Sequence, residues 1–568
     1  MGEGGVLLTP RILAPVGGYA AALEGDVRVG PRRVKLRICL LDSFPGCLPH
    51  IYLMPWNALG FIPHVREGDG YICFLDPEGV ILDRARPAQV VTESLRRTIH
   101  LLEAGFGKTN QADFVDEFEA HWSRMPGATW LWSILEPETF VRSVAVVETD
   151  NAMPFVAANE SALSAYWNGN TVPSPRKIRG AVYLPLEPGT LLIPPRSNGP
   201  MWSVAEAREK LLGALSEENR RLATSLIGSR KYTGAQDVIV GLPRPSGGFN
   251  LFGVRLPAAD GLHPLLSSSS AGAVSPLALL RLERPFLVPR GGADNGLASK
   301  RVLLIGCGAV GGHVALELAR AGVLELTLVD SDVLHPENTF RHVLGRRYWF
   351  IRKAEALKQE IQANLPYVRV RAFTDSIESV TSSGLIDIAA YDIVICALGA
   401  PTLELLLNEQ LHLASRRVIF TWVDPFGIGG HALLAGNAPG GGGCFSCLYT
   451  DPGAADAGIV NRASFAVADP AKPFGRVLTG CGNLHTPYGS LDAVRTASLA
   501  TRLAIDALTG KEPGNPLRSW KGDPAAYLDA GFELSKRFAA SDDQLDRLRY
   551  EYRVSACPVC SVDQGRNG

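Results

Sequence analysis

Hydrophobic and polar positions alternate strictly from Arg33 to Leu40. Val34, Leu36, Ile38 and Leu40 fall on one side, and Arg33, Lys35 and Arg37 on the other. A period of two marks a half-buried strand. Pro45, Gly46 and Pro49 then punctuate the chain, and a second apolar strand is expected over 51–54. Across 87–104 the period lengthens. Val90, Val91, Leu95, Ile99 and Leu102 line one side of a helix that starts at Pro87. Residues 1–108 therefore read as an α+β domain.

Between 109 and 290 Pro and Gly interrupt the pattern often. Strands are expected at 180–184, 237–241 and 249–256, a helix at 203–215 and a loop at 267–270. No fold follows from these, and the region is read as a mixed linker domain. From 291 to 568 strand and helix alternate. Strands at 301–306, 325–330, 391–398 and 418–422 are interleaved with helices at 312–321 and 402–414. Such alternation implies a doubly wound, mainly parallel α/β sheet of Rossmann type. The whole chain thus reads as a multidomain α/β and α+β protein.

Composition narrows the function classes. Of 568 residues 46% are hydrophobic and 20% charged, and the formal net charge is −1. Bulk electrostatic attraction to nucleic acid or to an anionic membrane is not expected. No charge-free apolar run of about 18 residues and no secretory start is seen, so neither a membrane span nor export is expected. Ten cysteines spread along so long a chain fit a reducing cytoplasm, where thiols serve metals or catalysis.

The run Gly306-Cys307-Gly308-Ala309-Val310-Gly311 follows one of the expected strands and opens a helix. Gly306, Gly308 and Gly311 permit a tight turn and let phosphates approach the helix N-terminus. Asp330 lies about 20 residues on, at the end of the next strand, where a carboxylate can hold a ribose hydroxyl. A dinucleotide enzyme needs little more. Here Asp332, Asn338, Arg341 and Lys353 follow, and the cations among them suit a triphosphate whose charge separates during reaction.

Asp330-Ser331-Asp332, Asn338-Thr339-Phe340-Arg341 and Lys353-Ala354 resemble, in order and approximate spacing, the signature of the ThiF/MoeB and ubiquitin-activating superfamily. The resemblance implies a ThiF-like adenylation domain. In it Asp330 holds ribose, while Asn338, Arg341 and Lys353 contact the phosphates of ATP. The family's magnesium-holding Asp at the end of a later strand is missing, because the strand at 391–398 runs into Gly399-Ala400-Pro401. Asp424, after the next strand, is the expected substitute for holding Mg2+. A degenerate site that binds ATP without turnover is the alternative.

Cys444-Phe445-Ser446-Cys447 and Cys557-Pro558-Val559-Cys560 are two CxxC pairs. Four thiolates close a tetrahedral Zn2+ site with no open position, so the metal is expected to be structural. Free thiols or disulfides are the other reading. Many ThiF-like domains close with such a zinc. Between the pairs, Cys481 lies in Gly480-Cys481-Gly482-Asn483, ahead of a helix expected at 488–508. A thiol near a helix N-terminus has a lowered pKa and is a better nucleophile, and a buried, inert cysteine is the alternative. The order zinc pair, reactive cysteine, zinc pair resembles activating enzymes of the ubiquitin-like type. Cys307 and Cys396 read as packing residues.

The N-terminal region has its own signature. Phe44-Pro45 with a later Pro, then Ile62-Pro63-His64-Val65, then Gly70-Tyr71-Ile72-Cys73 resemble the ubiquitin-conjugating (UBC) fold over about residues 19–105. The resemblance implies that Cys73 carries a thioester. His64 stands where the family has Asn, so an imidazole is expected to donate to the oxyanion.

With conjugating-like residues first and activating-like residues last, the chain resembles bacterial fusion proteins of CBASS antiphage systems and related ubiquitin-like operons. The resemblance implies adenylation of a partner's C-terminal carboxylate, thioester relay through Cys481 and then Cys73, and transfer to a target lysine. The partner would be a ubiquitin-like protein or a cGAS-like nucleotidyltransferase, and the enzyme a homodimer. Two rival readings stand beside this one. A sulfur-carrier adenylyltransferase for cofactor synthesis would leave Cys73 unexplained. A non-catalytic partner-binding scaffold is favoured by the missing magnesium Asp.

Overall fold

The computed structural model describes residues 11–13, 18–149, 153–167, 175–436, 442–450, 460–469, 472–477, 484–485 and 487–561. The chain forms two compact units, Met1–Ala162 with Pro173–Glu283, and Leu163–Val172 with Arg284–Gly568. The boundary expected near residue 108 falls inside the first unit.

That unit begins with a four-stranded antiparallel sheet, β1 (Arg11–Leu13), β2 (Ala21–Val29), β3 (Arg32–Leu40) and β4 (His50–Met54), in sequence order. The alternation of β3 does what its period requires. Val34, Leu36 and Ile38 are buried while Arg33 and Lys35 are exposed. The helix Pro87–Phe106 lays Leu95 and Leu102 on the same core as Leu36, Ile51 and Leu53.

The second part of the unit is a closed barrel. Its strands are β5 (Thr129–Ser133), β6 (Arg142–Thr149), β7 (Phe155–Ala157), β8 (Pro175–Pro185), β9 (Tyr232–Pro243), β10 (Phe249–Gly261) and β11 (Ser275–Arg281), in the order β10-β11-β5-β7-β6-β8-β9. On β9, Ile239 belongs to the cluster with Val144, Val146 and Leu251, whereas Val238, Val240 and Leu242 pack with Leu211 and Ile227 of the helices Val204–Gly213 and Glu217–Gly228. A strand buried on both sides has no polar face to show.

The second unit holds a seven-stranded sheet made of β12 (Arg301–Ile305), β13 (Glu325–Val329), β14 (Arg369–Phe373), β15 (Ile393–Cys396), β16 (Val418–Val423), β17 (Gly429–Ala435) and β20 (Leu517–Lys521), in the order β14-β13-β12-β15-β16-β17-β20. A two-residue ribbon, β18 (Arg476–Val477) with β19 (Leu484–His485), lies between in sequence. Pairing is parallel from β14 to β16 and antiparallel for β17 and β20. Val302 and Leu304 pack on one face with Val314, Leu318 and Leu503. Leu303 and Ile305 pack on the other with Leu407 and Leu411. The sheet is therefore wound on both sides. No helix among the described residues is long and apolar enough to cross a membrane.

Candidate nucleotide and thiol sites

Parallel strands end on one edge of a sheet, so residues that follow β12, β13, β14 and β15 are brought together there. A cavity of about 210 Å³ lies at that edge. It is lined by Gly306 and Gly308 after β12, Asp330 and Asp332 after β13, Asp375 and Ser376 after β14, Ala397 and Leu398 after β15, and Lys353.

The glycine turn is forced by close approach. Gly306 has φ 90°, and a Cβ there would come within 2.6 Å of the Ala397 carbonyl oxygen. A Cβ on Gly311 would overlap the Gly306 carbonyl oxygen. Gly308, at the N-cap of the helix Ala309–Arg320, has open space where its Cβ would be. That space lies over the helix N-terminus, the end that favours anions.

Asp330 is tied into this turn. It accepts from the Cys307 N–H at 2.6 Å and the Asp332 N–H at 2.7 Å. Burial pushes its carboxyl up, against those bonds. The Lys353 ammonium is mostly buried and pairs with the exposed Asp332 carboxylate at 2.9 Å. Below the turn, His342 is buried. Its Nδ1 accepts from the Leu344 N–H at 3.0 Å, and Nε2–H donates to the Cys307 carbonyl at 2.7 Å. Burial pushes the imidazole down to about 4, so the ring is neutral and braces the loop as a donor.

Asn338 accepts from the His335 N–H at 3.0 Å and caps a short turn, and the Arg341 guanidinium lies over the Tyr488 ring at 5.1 Å. Neither lines the cavity. Asp424, the expected magnesium residue, does not line it either. Asp424 is 2% exposed. Its carboxylate accepts from the Phe465 N–H at 2.7 Å and Ser464 Oγ at 2.9 Å, and meets His431 Nε2 at 3.0 Å. Both oxygens thus carry contacts from the protein. At the turn after β15, where the carboxylate is missing, Glu404 reaches back and accepts from the Gly399 N–H at 3.2 Å. Burial raises its carboxyl to about 7.

The four thiols of Cys444, Cys447, Cys557 and Cys560 are buried, with sulfurs all within 4.8 Å of one another. Cys444 and Cys557 are 3.6 Å apart, and Cys447 and Cys560 3.4 Å. Tetrahedral zinc with bonds of about 2.3 Å sets sulfurs about 3.8 Å apart. The donor set and its spacing fit that ion. Cys307 and Cys396 are fully buried. Cys481 lies outside the described residues.

In the first unit Cys73 is exposed. Its N–H donates to the His64 carbonyl at 2.9 Å. Partial burial, then the charges of Glu117 and Asp76, push its thiol up. Gly70, at φ 80°, allows the approach to β4, since a Cβ there would overlap the Leu53 carbonyl oxygen. His64 itself has φ 62°, a left-handed backbone in which Asn and His are enriched among non-glycine residues. Its ring is gripped on both sides, Nδ1 by Glu117 at 2.7 Å and Nε2 by Asp113 at 2.9 Å. The bond to Glu117 chiefly raises the imidazole to about 9. Both ring N–H groups thus serve carboxylates, and neither is spare for the expected oxyanion contact.

Residues 287–518 match the ThiF family, and residues 19–128 match Prokaryotic E2 family B. The chain joins an E2-like domain to a ThiF-like domain. It is 26% identical to the ATP-dependent ubiquitin transferase-like protein Cap2 of Pseudomonas aeruginosa, over 82% of this chain and 83% of that protein. The Cap2 of Vibrio cholerae is 29% identical over 42% of this chain and 41% of its own length. The adenylyltransferase and sulfurtransferase MOCS3 of Sus scrofa is 29% identical over 47% and 57%. The chain thus spans less than two thirds of the latter two. Among solved structures, Escherichia coli MccB with ATP covers 49% of this chain and 70% of its own at 19% identity and a TM-score of 0.32.

Within the ThiF-like domain, the cavity gathers Gly306, Gly308, Asp330, Asp332 and Lys353 from the expected set. Asp375, Ser376, Leu398 and His342 were not anticipated. Asp375 and Ser376 carried a readable signal, a short polar pair directly after a parallel strand. His342 carried none, because its role depends on a carbonyl 35 residues away.

Proposed function

We propose that this protein uses ATP to activate the C-terminal carboxylate of a partner protein and passes the acyl group through two cysteines to an amine. The observation that carries this reading is the cavity at the ThiF-like sheet edge, where the open helix N-terminus at Gly308, the Asp330 carboxylate and Lys353 converge.

In the first step the partner's carboxylate oxygen attacks the α-phosphorus of ATP. The bond to pyrophosphate breaks, and a carboxyl–AMP anhydride forms. Gly308 and Lys353 receive the phosphates, and Asp330 the ribose. Arg341 and Asn338 reach the nucleotide if the 338–341 turn shifts when it binds. The Cys481 thiolate then attacks the acyl carbon, and AMP leaves. The Cys73 thiolate displaces Cys481 to form a second thioester, and a lysine amine displaces Cys73 to leave an amide. Cys444, Cys447, Cys557 and Cys560 would hold zinc, which would close the domain core and take no part in transfer.

The likeness to the ATP-dependent ubiquitin transferase-like protein Cap2 supports transfer of a partner protein, either a ubiquitin-like protein or a cGAS-like nucleotidyltransferase, and the proposal extends to antiphage defence in the cytoplasm. The enzyme would act as a homodimer. Incubation with ATP and a ubiquitin-like protein, followed by non-reducing gels, separates the readings. A thiol-sensitive adduct is expected. AMP–partner without an adduct would point to a sulfur-carrier adenylyltransferase, and neither product to a scaffold.

A further inference from the structure

The barrel of the first unit holds a cavity of its own. β8 and β9 pair in parallel only from Val182↔Val238 to Pro185↔Gly241. Ahead of that register each strand bonds elsewhere, β8 to β6 and β9 to β10. Residues 177–181 and 232–237 therefore part, and a cavity of about 520 Å³ opens between them. That volume is within the roughly 300–1,000 Å³ of small-molecule sites.

Its lining is basic. Lys177, Arg179, Arg230 and Lys231 line it against one described carboxylate, Asp237, and of these cations Arg179 is already paired, with Glu148 at 3.2 Å and Asp237 at 3.5 Å. The Asp237 carboxylate is already spent, since Arg255 grips both its oxygens at 2.6 and 2.9 Å. Arg230 lies beside the Tyr232 ring and has no acidic partner among the described residues. Lys177 and Lys231 have none either. Gathering like charges around a concavity is unfavourable until an anion enters.

The second observation lies in the wall. His263 is 2% exposed and lines the cavity. Its Nδ1 accepts from the Leu265 N–H at 3.2 Å, so the proton of the neutral ring is on Nε2. Burial, then the charge of Arg230, holds the imidazole down to about 4, which keeps it neutral. Arg179 Nε, also on the lining, is buried with no hydrogen-bond partner among the described residues. A buried donor without an acceptor is costly, and a phosphate oxygen satisfies it.

We propose that this cavity binds a small phosphate-bearing anion. Lys177, Arg230 and Lys231 supply charge, while His263 and Arg179 supply fixed donors. A phosphate fits better than an apolar ligand, because Lys177, Arg230 and Lys231 bring unpaired positive charge to the lining.

The probe is inorganic pyrophosphate, titrated calorimetrically into the full chain carrying Lys353→Ala, which weakens the ThiF-like site. Binding of one pyrophosphate per chain is expected to remain. It should weaken on the order of tenfold or more when Lys177→Ala and Arg230→Ala are added, as loss of charge-assisted hydrogen bonds requires. Both are surface side chains, so an unchanged melting temperature certifies the fold. No binding to the Lys353→Ala protein, or binding that the added substitutions leave unmoved, overturns the proposal. Equal affinity for citrate overturns the phosphate assignment.

Discussion

His64 keeps its proton because two carboxylates hold it, and this gives the E2-like domain a pH signature. Its pKa rises from 6.5 to about 9. The stability it adds is therefore complete below pH 6.5 and is lost as pH rises through about 9. Glu117 moves the other way. Burial raises it, but His121 and His64 together bring it from 4.5 to about 2. Its contribution is present above pH 4.5 and is lost as pH falls through about 2. Thermal unfolding should show stability declining between pH 6.5 and 9. In Glu117→Gln this decline should shrink and move to lower pH, and an unchanged profile would refute the pairing. The same substitution removes a charge that raises the Cys73 thiol, so alkylation of Cys73 near pH 8 should speed up. Lys353 is the matching residue in the nucleotide cavity. Its bond to the exposed Asp332 is worth little stability. Lys353→Ala should melt like the parent while partner-dependent ATP–pyrophosphate exchange falls on the order of a hundredfold. Unchanged exchange would displace the phosphates from this cavity.

At the scale of elements, β16 gives its terminal residue a second set of partners. Asp424 ends a strand at the edge where ligands bind, which is why it was expected to hold magnesium. A structural role competes with that expectation, because β16 is followed by an antiparallel neighbour. β17 brings His431 back beside it, and Ser464 and Phe465 close over the carboxylate. Asp424→Asn puts an amide donor where only donors face it, at a cost of about 1–3 kcal/mol. The melting temperature should drop while exchange per folded molecule holds. A loss of exchange restored by excess Mg2+ would return the metal role to Asp424. The four-cysteine cluster belongs to this scale too. Elemental analysis should find about one zinc per chain, and Cys557→Ser should lose it and unfold at lower temperature. Full metal in that variant would break the proposed pairing. β3 and the helix Pro87–Phe106 were legible because each presents one polar side. The glycine turn was legible because strand, turn and helix are contiguous in sequence. The barrel was not, since Val238-Ile239-Val240 is buried on both sides and shows no period. Nor was the grip on His64, whose partners Asp113 and Glu117 lie about 50 residues on, beyond the reach of local pattern.

At the scale of the whole molecule, the two thiols belong to different compact units of one chain. Cys73 lies in the range of the first and Cys481 in that of the second. The nucleotide cavity is in the second unit. If the acyl group leaves AMP for the thiol in that unit's range, the two cysteines cannot be interchangeable. Cys481→Ala should keep adenylation but form no thioester anywhere, because the adenylate has no nucleophile to meet. Cys73→Ala should keep adenylation and still load Cys481, yet pass nothing to an amine. Cys73 could receive the group within its own chain or from a second copy. Mixing Cys481→Ala with Cys73→Ala protein distinguishes these routes, since product from the mixture requires transfer between copies. Serine at either position captures the acyl group as an oxyester, because an alkoxide leaves less readily than a thiolate. Serine variants therefore report where the group arrives, and alanine variants report the order. The decisive outcome is Cys73 in the Cys481→Ala protein. If it loads at the parent rate, the relay has one thiol, and the E2-like domain takes its acyl group directly from the adenylate.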